Sequence, residues 1–189
     1  MIEIIEVTSR QQYRVFFQFP FDLYRNCQQW VPTITKEEMD IFDPQKNAVF
    51  EHAMARLFLA KRKGKIVGRI AAMINWVEVE KLQKTKVRFG WYDTIDDLEV
   101  SQKLIETVEA VAIAEGMTYI EGPMGFSNMD KAGLLVHGYE HMNTMITWYH
   151  YPYQKTHLER LGLKKQSEWI EFKIDIYDAK DSPEKVKKF

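Results

Sequence analysis

The sequence predicts an α/β domain in which helices cover both faces of a central sheet. The first observation is a hairpin over residues 55–75, whose two β-rich runs, 56–61 and 65–74, carry apolar residues on both faces. Such strands need cover above and below the sheet, which helices supply and a second sheet does not. The second observation is an amphipathic run, 98–115, followed at once by the β-rich residues 117–121. A strand, a helix and a strand in that order predict a right-handed crossover between parallel strands.

The elements before the hairpin follow from local patterns. Residues 2–7 alternate apolar and acidic side chains, which is typical of a strand. Ser9 is a suitable N-cap for an aromatic-rich helix, which Pro20 is expected to interrupt. A short helix is predicted over residues 35–42, because acidic residues in its first turn complement the helix dipole.

The hairpin and the segments after it show clearer signals. Residues 62–64 predict a turn in which Gly64 tolerates a positive φ. Residues 76–85 are charged and predict a surface loop or a strand end, and residues 86–93 predict an aromatic-rich strand. The run 98–115 is the strongest helix pattern, with Gly116 as its C-terminal stop. The last third of the chain predicts four further elements: a helix capped by Ser127 or Asn128 and ending near Gly138, a strand over 144–149, a helix over 152–161, and a long strand over 163–176.

Composition restricts the class of function. A chain of 189 residues fits one domain, and its net charge of −1 argues against a nucleic-acid binder. There is no apolar run of about 18 residues, so no membrane span is predicted. The single cysteine, Cys27, and an N-terminus unlike a signal peptide predict a cytoplasmic location. The sequence has five histidines, but no Cys or carboxylate completes a zinc-binding site with them, so no metal is predicted.

Several segments carry family-like motifs. They are the strand pair 57–60 and 64–70, the crossover 98–115 with 117–120, and the late helix 157–165. In that order they resemble the GNAT-type N-acetyltransferases. Further segments are similar to uncharacterised bacterial GNAT-like proteins: Tyr24-Arg25-Asn26, Trp30-Val31-Pro32, Gly122-Pro123 and residues 133–139.

The resemblance implies a mixed, mostly antiparallel central sheet with helices on both faces. It implies a GNAT-like domain over residues 1–177 and a tail, or the start of a helix, over residues 178–189. In some of the similar bacterial proteins the domain is the front half of a longer chain. We therefore expect the tail to lead to a second half that is missing here.

The resemblance also implies a cofactor, acetyl-CoA or another acyl-CoA. The family pattern for the pyrophosphate loop, Arg/Gln-x-x-Gly-x-Gly/Ala, falls on residues 96–101. Asp96 then stands at the basic position and Glu99 at the first glycine, and carboxylates there repel phosphate. An alternative is a plain helix start with Asp96 and Glu99 as a capping box. The implied cofactor contacts are Phe89, Gly90 and Trp91 for the pantetheine arm, and Leu98, Val100 and Ser101 at the loop.

The candidate chemistry lies on the late helix and the loop before it. The family's acid is a tyrosine at the position of Leu158, so the sequence lacks it and Tyr153 is the substitute. The alternative for Tyr149, Tyr151 and Tyr153 is an aromatic packing cluster. Asn128, Asp130 and Tyr149 are the predicted substrate-binding residues, and helix capping is the alternative use of Asn128 and Asp130.

Two functions remain open at this point. The first is an acyl-CoA-dependent N-acyltransferase of unknown small-molecule substrate with a degenerate pyrophosphate loop. The second is a non-catalytic GNAT-like module that binds a ligand or a protein. For the second function we expect an aromatic patch that pairs with another copy in a homodimer, or with a second GNAT-like domain; its candidate residues are Phe19, Phe21, Tyr24 and Trp30.

Overall fold

The structure, a computed structural model, describes residues 1–127, 129–144 and 146–172. The described strands are β1 (Ile2–Glu6), β2 (Ala53–Arg62), β3 (Lys65–Asn75), β4 (Lys86–Thr94) and β5 (Tyr119–Glu121); the described helices are α1 (Arg10–Leu23), α2 (Thr35–Ile41), α3 (Trp76–Leu82), α4 (Leu98–Ala114) and α5 (Pro152–Arg160). A 3₁₀ turn, Ala48–Glu51, leads into β2. The predicted tail, residues 178–189, lies outside the described residues.

The five strands form one sheet in the order of the chain, β1-β2-β3-β4-β5. Neighbouring strands are antiparallel except for the last pair, β4 and β5, which are parallel. The crossover between that pair is α4, as the strand–helix–strand pattern predicted. A mixed, mostly antiparallel sheet is therefore confirmed.

The sheet has an apolar core on each face, which explains why its central strands are apolar on both sides. On one face, Phe58 and Ile70 pack with Leu104 and Val108 of α4 and with Leu158 of α5. The side chains that make the core of the other face come from the sheet and from α1 and its following segment: Leu57, Leu59, Ala71, Met73, Phe16, Phe17 and Phe42. Burial of each large apolar side chain contributes roughly 1.5–3 kcal/mol, so cover on both faces is strongly favoured.

Helix α1 runs through Pro20, so the expected interruption is wrong. Ser9 caps the helix as predicted and forms a capping box with Gln12. Proline has no N–H for the carbonyl four residues earlier, which is that of Phe16. Arg69 Nη1 donates to this carbonyl oxygen at 3.0 Å. A side chain from β3 thus replaces the missing helical hydrogen bond, and no local pattern reveals it.

The hairpin is confirmed, and the segment after it differs from the prediction. Lys63 and Gly64 both have positive φ, 47° and 81°, which is the geometry of a two-residue type I′ turn. The expectation of a loop or strand end at 76–85 is wrong over Trp76–Leu82, which is α3. The side chain of Asn75 accepts a hydrogen bond from Val77 N at 3.0 Å and caps this helix.

The last third of the chain contains less regular structure than predicted. Helix α5 is confirmed, but residues 129–138 form no helix, and the described parts of 144–149 and 163–172 form no strand. Residues 173–176 lie outside the described residues. Loop hydrogen bonds take the backbone instead: Gly133 N donates to Pro123 O at 2.8 Å, and Gly125 N to Lys131 O at 3.1 Å. The predicted helix cap at Ser127 is accordingly replaced by a turn, and the other predicted cap, Asn128, lies outside the described residues.

Candidate functional site

The site is built on an irregularity in β4. Arg69 pairs with Asp93 and Ala71 pairs with Gly90, so one β3 residue faces two residues of β4. This is a β-bulge, and Trp91 at its centre has φ 47°. The buried Trp91 ring is held by a hydrogen bond from Nε1 to Glu38 Oε2 at 2.6 Å. The bulge lies beyond Arg88, the last residue of β4 that pairs with β5.

Beyond the bulge, β4 pairs with side chains of α5 instead of with β5. The parallel pairing covers Lys86 to Arg88 only, and Met124 N then donates to Phe89 O at 2.8 Å. Further along, the Tyr92 carbonyl accepts from Gln154 Nε2 at 3.2 Å. The Thr94 carbonyl accepts from the Tyr153 hydroxyl at 2.7 Å. The open edge of β4 is therefore covered by Tyr153 and Gln154.

A chain of polar groups, all buried except Asp96, connects α4, β4 and α5. The Tyr92 hydroxyl donates to Ser101 Oγ at 2.8 Å, and Ser101 Oγ lies 2.8 Å from His157 Nδ1. His157 Nε2 lies 3.2 Å from Asp96 Oδ1. A neutral His157 with its proton on Nε2 satisfies the whole chain, because Ser101 then donates to Nδ1. Burial raises the pKa of Tyr92 to about 12.

Ser101, His157 and Asp96 have the residue types of a hydrolytic triad but not its accessibility. Ser101 is 0% exposed, and its hydroxyl is also 3.3 Å from Thr94 Oγ1. A nucleophile must reach its substrate, so this serine is a structural residue that joins α4 to α5. Sequence patterns gave no signal that these three residues meet.

The start of α4 is capped by Asp97, so the expected Asp96–Glu99 capping box is wrong. Asp97 Oδ1 accepts from Glu99 N at 3.0 Å. Arg62, at the end of β2, pairs with Asp97 Oδ2 and, at 2.7 Å, with Glu99 Oε2. The hydrogen bond from Arg62 holds the pKa of Asp97 below its usual range. Asp96 contacts His157 instead, because α5 packs against this end of α4.

A second polar cluster forms around Asp93, which follows the bulge in β4. Arg69 Nε donates to Asp93 Oδ2 at 2.7 Å, and the Tyr24 hydroxyl donates to Asp93 Oδ1 at 2.7 Å. The Tyr24 hydroxyl is also 3.2 Å from Gln154 Oε1, which connects this cluster to α5. Burial is the main cause of two pKa shifts here. It raises the pKa of Tyr24, and it lowers the pKa of His150 to about 4.

The tyrosines of residues 149–153 form an aromatic cluster around Tyr24. Tyr24 stacks on Trp30 at 5.3 Å and contacts the rings of Tyr149 and Tyr151. Tyr151 stacks on Tyr153 at 5.5 Å. The packing cluster given as the alternative is therefore present, and Tyr153 belongs to both this cluster and the β4 edge. Burial raises the pKa of Tyr153.

The residues predicted for substrate binding are not brought together by contacts in the described structure. Asp130 Oδ2 accepts from Ser127 N at 2.7 Å and closes a turn. The Tyr149 hydroxyl donates to Tyr139 O at 3.2 Å, in another loop. Asn128 lies outside the described residues. Two pockets, about 280 and 190 Å³ in volume, share Tyr13, Phe42 and Pro44, and neither is lined by a residue of β4 or α5.

The described helices are too short or too polar to cross a membrane. No model of a known protein family matches the chain. A solved structure, a predicted acetyltransferase with acetyl-CoA from Clostridium acetobutylicum, superposes on 92% of this chain and 96% of its own. Its TM-score is 0.55 and its sequence identity is 11%. The chain has the GNAT acyl-CoA N-acyltransferase fold. Further acetyltransferase structures share this GNAT fold with the chain.

Two curated relatives match nearly the whole chain. Protein YghO of Escherichia coli K12 is 29% identical over 175 residues, which are 93% of this chain and 45% of that protein. A bacterial ceramide synthase of Caulobacter vibrioides is 28% identical over 184 residues, which are 97% of this chain and 47% of that protein. The GNAT-fold chain thus spans about half the length of the curated relatives it matches.

Proposed function

We propose that the chain is a GNAT-fold unit of an N-acyltransferase, which transfers an acyl group from an acyl-CoA-type thioester to an amine. The shared fold with acetyltransferases supports the reaction class. The 28% identity to a bacterial ceramide synthase supports a lipid amine as acceptor. Ceramide is the N-acyl amide of a long-chain amino alcohol, so we propose an acceptor of that chemistry. A cytoplasmic location is part of this proposal, supported by the lone Cys27.

The observation that carries the proposal is the β4 bulge at Trp91. The β4–β5 pairing ends at Arg88, and beyond the bulge the carbonyls of Tyr92 and Thr94 accept hydrogen bonds from α5. A donor with amide groups can lie along such an edge, as an added strand does. The arm then lies beside the carbonyls of Tyr92 and Thr94, because the Met124 loop closes the edge at Phe89 and Gly90, and the transferred carbonyl carbon lies near Tyr153.

The reaction needs positioning and one proton transfer. The amine nitrogen forms the amide C–N bond, the C–S bond breaks, and the proton lost by the amine ends on the released thiol. Tyr153 is the proposed acid, because its hydroxyl is already a donor at the β4 edge; it gives its proton to the leaving thiolate and regains the proton that the amine loses. Its raised pKa keeps it protonated across the physiological range. Placing the two reactants side by side supplies most of the acceleration.

The test combines binding with turnover in the full 189-residue chain. Acetyl-CoA and hexadecanoyl-CoA are added with a long-chain amino alcohol, and released thiol and amide product are measured. A donor at 100 times its Kd should raise the free energy of unfolding by about 2.7 kcal/mol. Absence of both a thermal shift and thiol release at millimolar donor would refute the proposal for this chain.

Tyr153→Phe tests the acid. We expect kcat to fall by about 10²-fold while Kd for the donor changes little, because the ring remains and only the hydroxyl is lost. The matched control is Tyr119→Phe, an exposed tyrosine of β5. If Y153F and Y119F have equal kcat, Tyr153 has no catalytic role.

A second candidate function is a non-catalytic module that pairs with another copy or with a second GNAT-like domain. The observation that favours it is that Tyr153 and Gln154 already occupy both carbonyls of the β4 edge. The His157–Ser101 contact further ties α5 to α4. Such a module binds no donor and forms a dimer, with the half-buried rings of Phe21 and Trp30 as its contact surface. Donor titration and light scattering on the same sample separate the two functions.

A further inference from the structure

The backbone donors at the start of α4 already have acceptors within the protein. Asp97 Oδ1 accepts from Glu99 N at 3.0 Å. The Asp97 carbonyl oxygen accepts from Val100 N at 3.1 Å and from Ser101 N at 3.3 Å. A phosphate bound at a helix N-terminus uses donors of this kind. This end of α4 is therefore capped by Asp97.

The charges around this helix start are also unfavourable to a phosphate. The side chains of Asp96 and Glu99 are 71% and 58% exposed, so both carboxylates face any approaching anion. The cation that faces them, Arg62, is shared between Asp97 and Glu99. His157 contacts Asp96 from the other side. A pyrophosphate here would have to displace Arg62 from two carboxylates and then lie beside them.

The β4 edge differs in charge, because its carbonyls are held by neutral side-chain donors and not beside carboxylates. The carbonyl oxygens of Tyr92 and Thr94 take one hydrogen bond each, from the Gln154 amide and the Tyr153 hydroxyl. A pantetheine arm contains two amide N–H groups on an extended chain. When it lies along this edge, its two N–H groups take the place of these two side-chain donors at the carbonyls.

We infer that the donor is recognised through its acyl-pantetheine arm at the β4 edge, and that its nucleotide is left outside the protein. This inference rests on the proposed function. The shared chemistry is the acyl-pantetheine thioester, which occurs both in acyl-CoA and on acyl carrier proteins. Since the nucleotide makes no favourable contact, an acyl chain on a carrier protein reacts as well as the CoA thioester.

The experiment compares three donors with the same acyl chain in the 189-residue chain: hexadecanoyl-CoA, hexadecanoyl-pantetheine and a hexadecanoyl carrier protein. Removal of the nucleotide is expected to change Kd by less than about threefold. Added salt screens the repulsion by Asp96 and Glu99, so it should favour hexadecanoyl-CoA relative to hexadecanoyl-pantetheine. The amide product is measured with each donor.

The outcomes separate this inference from the proposed function. If hexadecanoyl-pantetheine binds more than about tenfold more weakly than hexadecanoyl-CoA, the nucleotide is read and the inference is overturned, while the N-acyltransferase proposal stands. If none of the three donors binds, both are overturned. If only the CoA thioester yields product, the inference also fails.

Arg62→Ala is the variant that tests the phosphate contact directly. We expect the ratio of the Kd values for hexadecanoyl-CoA and hexadecanoyl-pantetheine to stay the same or to rise slightly from added repulsion, by less than about threefold. The matched control is Arg56→Ala, also on β2 and also bound to a carboxylate, that of Glu6. If R62A weakens hexadecanoyl-CoA about tenfold while R56A and the pantetheine donor are unaffected, Arg62 binds the phosphate and the inference is wrong.

Discussion

A Cβ atom at position 90 would lie 2.3 Å from the carbonyl oxygen of Met124 and 3.2 Å from the Trp148 ring. Glycine at this position lets the loop after β5 approach the β4 backbone next to the bulge. That approach supports the hydrogen bond from Met124 N to Phe89 O, which closes the strand pair. At the residue scale, the site depends on an absent side chain as much as on the polar ones.

Gly90→Ala is expected to destabilise the protein by roughly 1–3 kcal/mol, because the backbone at Met124 must move to admit a methyl group. Denaturant unfolding followed by tryptophan fluorescence measures this, since Trp91 and Trp148 lie 5.5 Å apart beside the substitution. The control is Gly64→Asn, in a turn with nothing within 4 Å of the added Cβ. Asparagine tolerates the left-handed backbone of that turn. Equal losses for both variants would contradict the steric explanation.

The polar residues of the site were partly visible in the sequence. Arg69 and Asp93 are charged residues within apolar strands, which is a signal of burial with a partner. Their pairing was not predictable, because the bulge at Trp91 sets the register between β3 and β4. Gln154 gave no signal, since its contact with the Tyr92 carbonyl depends on where α5 packs. Tyr153 was predicted on the correct helix.

At the scale of the element, local patterns predicted the strands and helices that have strong periodicity. The hairpin, α4, β5 and α5 lie within a few residues of their predicted bounds. The failures have tertiary causes. Pro20 remains inside α1 because Arg69 donates a hydrogen bond to the Phe16 carbonyl, which lacks its helical donor. The strand predicted from residue 163 does not pair in its described part, where Trp169 and Ile170 remain exposed.

Asp97 at the start of α4 gives a test at the element scale. Its pKa is lowered, first by the Arg62 hydrogen bond, from an ordinary value of 3.8. A lowered carboxyl pKa stabilises the fold above the unfolded value, and this stabilisation is lost as the pH falls through the folded value. Asp97→Asn keeps a capping oxygen and loses the charge. We expect a loss of about 0.2–1 kcal/mol at pH 7 that disappears near pH 2.

The measurement is urea unfolding of wild type and D97N at several pH values. Asp22→Asn is the control, because its ion pair with Arg25 is fully on the surface, with side chains 57% and 71% exposed. Its effect should be near zero at every pH. A D97N deficit that persists undiminished below the pKa range would show that the cap geometry, and not the charge, stabilises α4.

At the scale of the whole molecule, the two apolar cores are connected by the buried polar groups around Asp93. The Asp93 cluster contacts α1 through Tyr24 and α5 through Gln154, so both helical layers depend on one carboxylate. Strands that are apolar on both faces were enough to predict helices on both sides of the sheet. The polar contacts between these helical layers depend on tertiary packing, so no local pattern predicted them. Substitutions in this cluster should therefore affect the unfolding of the entire domain.

His150 provides the corresponding test of the whole molecule. It is buried, its Nδ1 accepts from Leu135 N at 3.4 Å, and burial lowers its pKa to about 4, with Asp93 opposing and Arg69 reinforcing the shift. The unfolded chain binds this proton below about pH 6.5, whereas the folded protein resists it until about pH 4. The free energy of unfolding should therefore be constant above pH 6.5 with respect to His150. It should fall by on the order of 3 kcal/mol between pH 6.5 and 4.

His150→Asn retains an acceptor for Leu135 N and removes the titrating ring, so it should flatten the stability curve between pH 6.5 and 4. His141→Asn, at a side chain that is 79% exposed, should leave the curve unchanged. Calorimetric or denaturant unfolding of the three proteins across this range decides the matter. If wild type and H150N lose stability in parallel on acidification, the loss comes from other groups, and His150 makes no pH-dependent contribution to the free energy of unfolding.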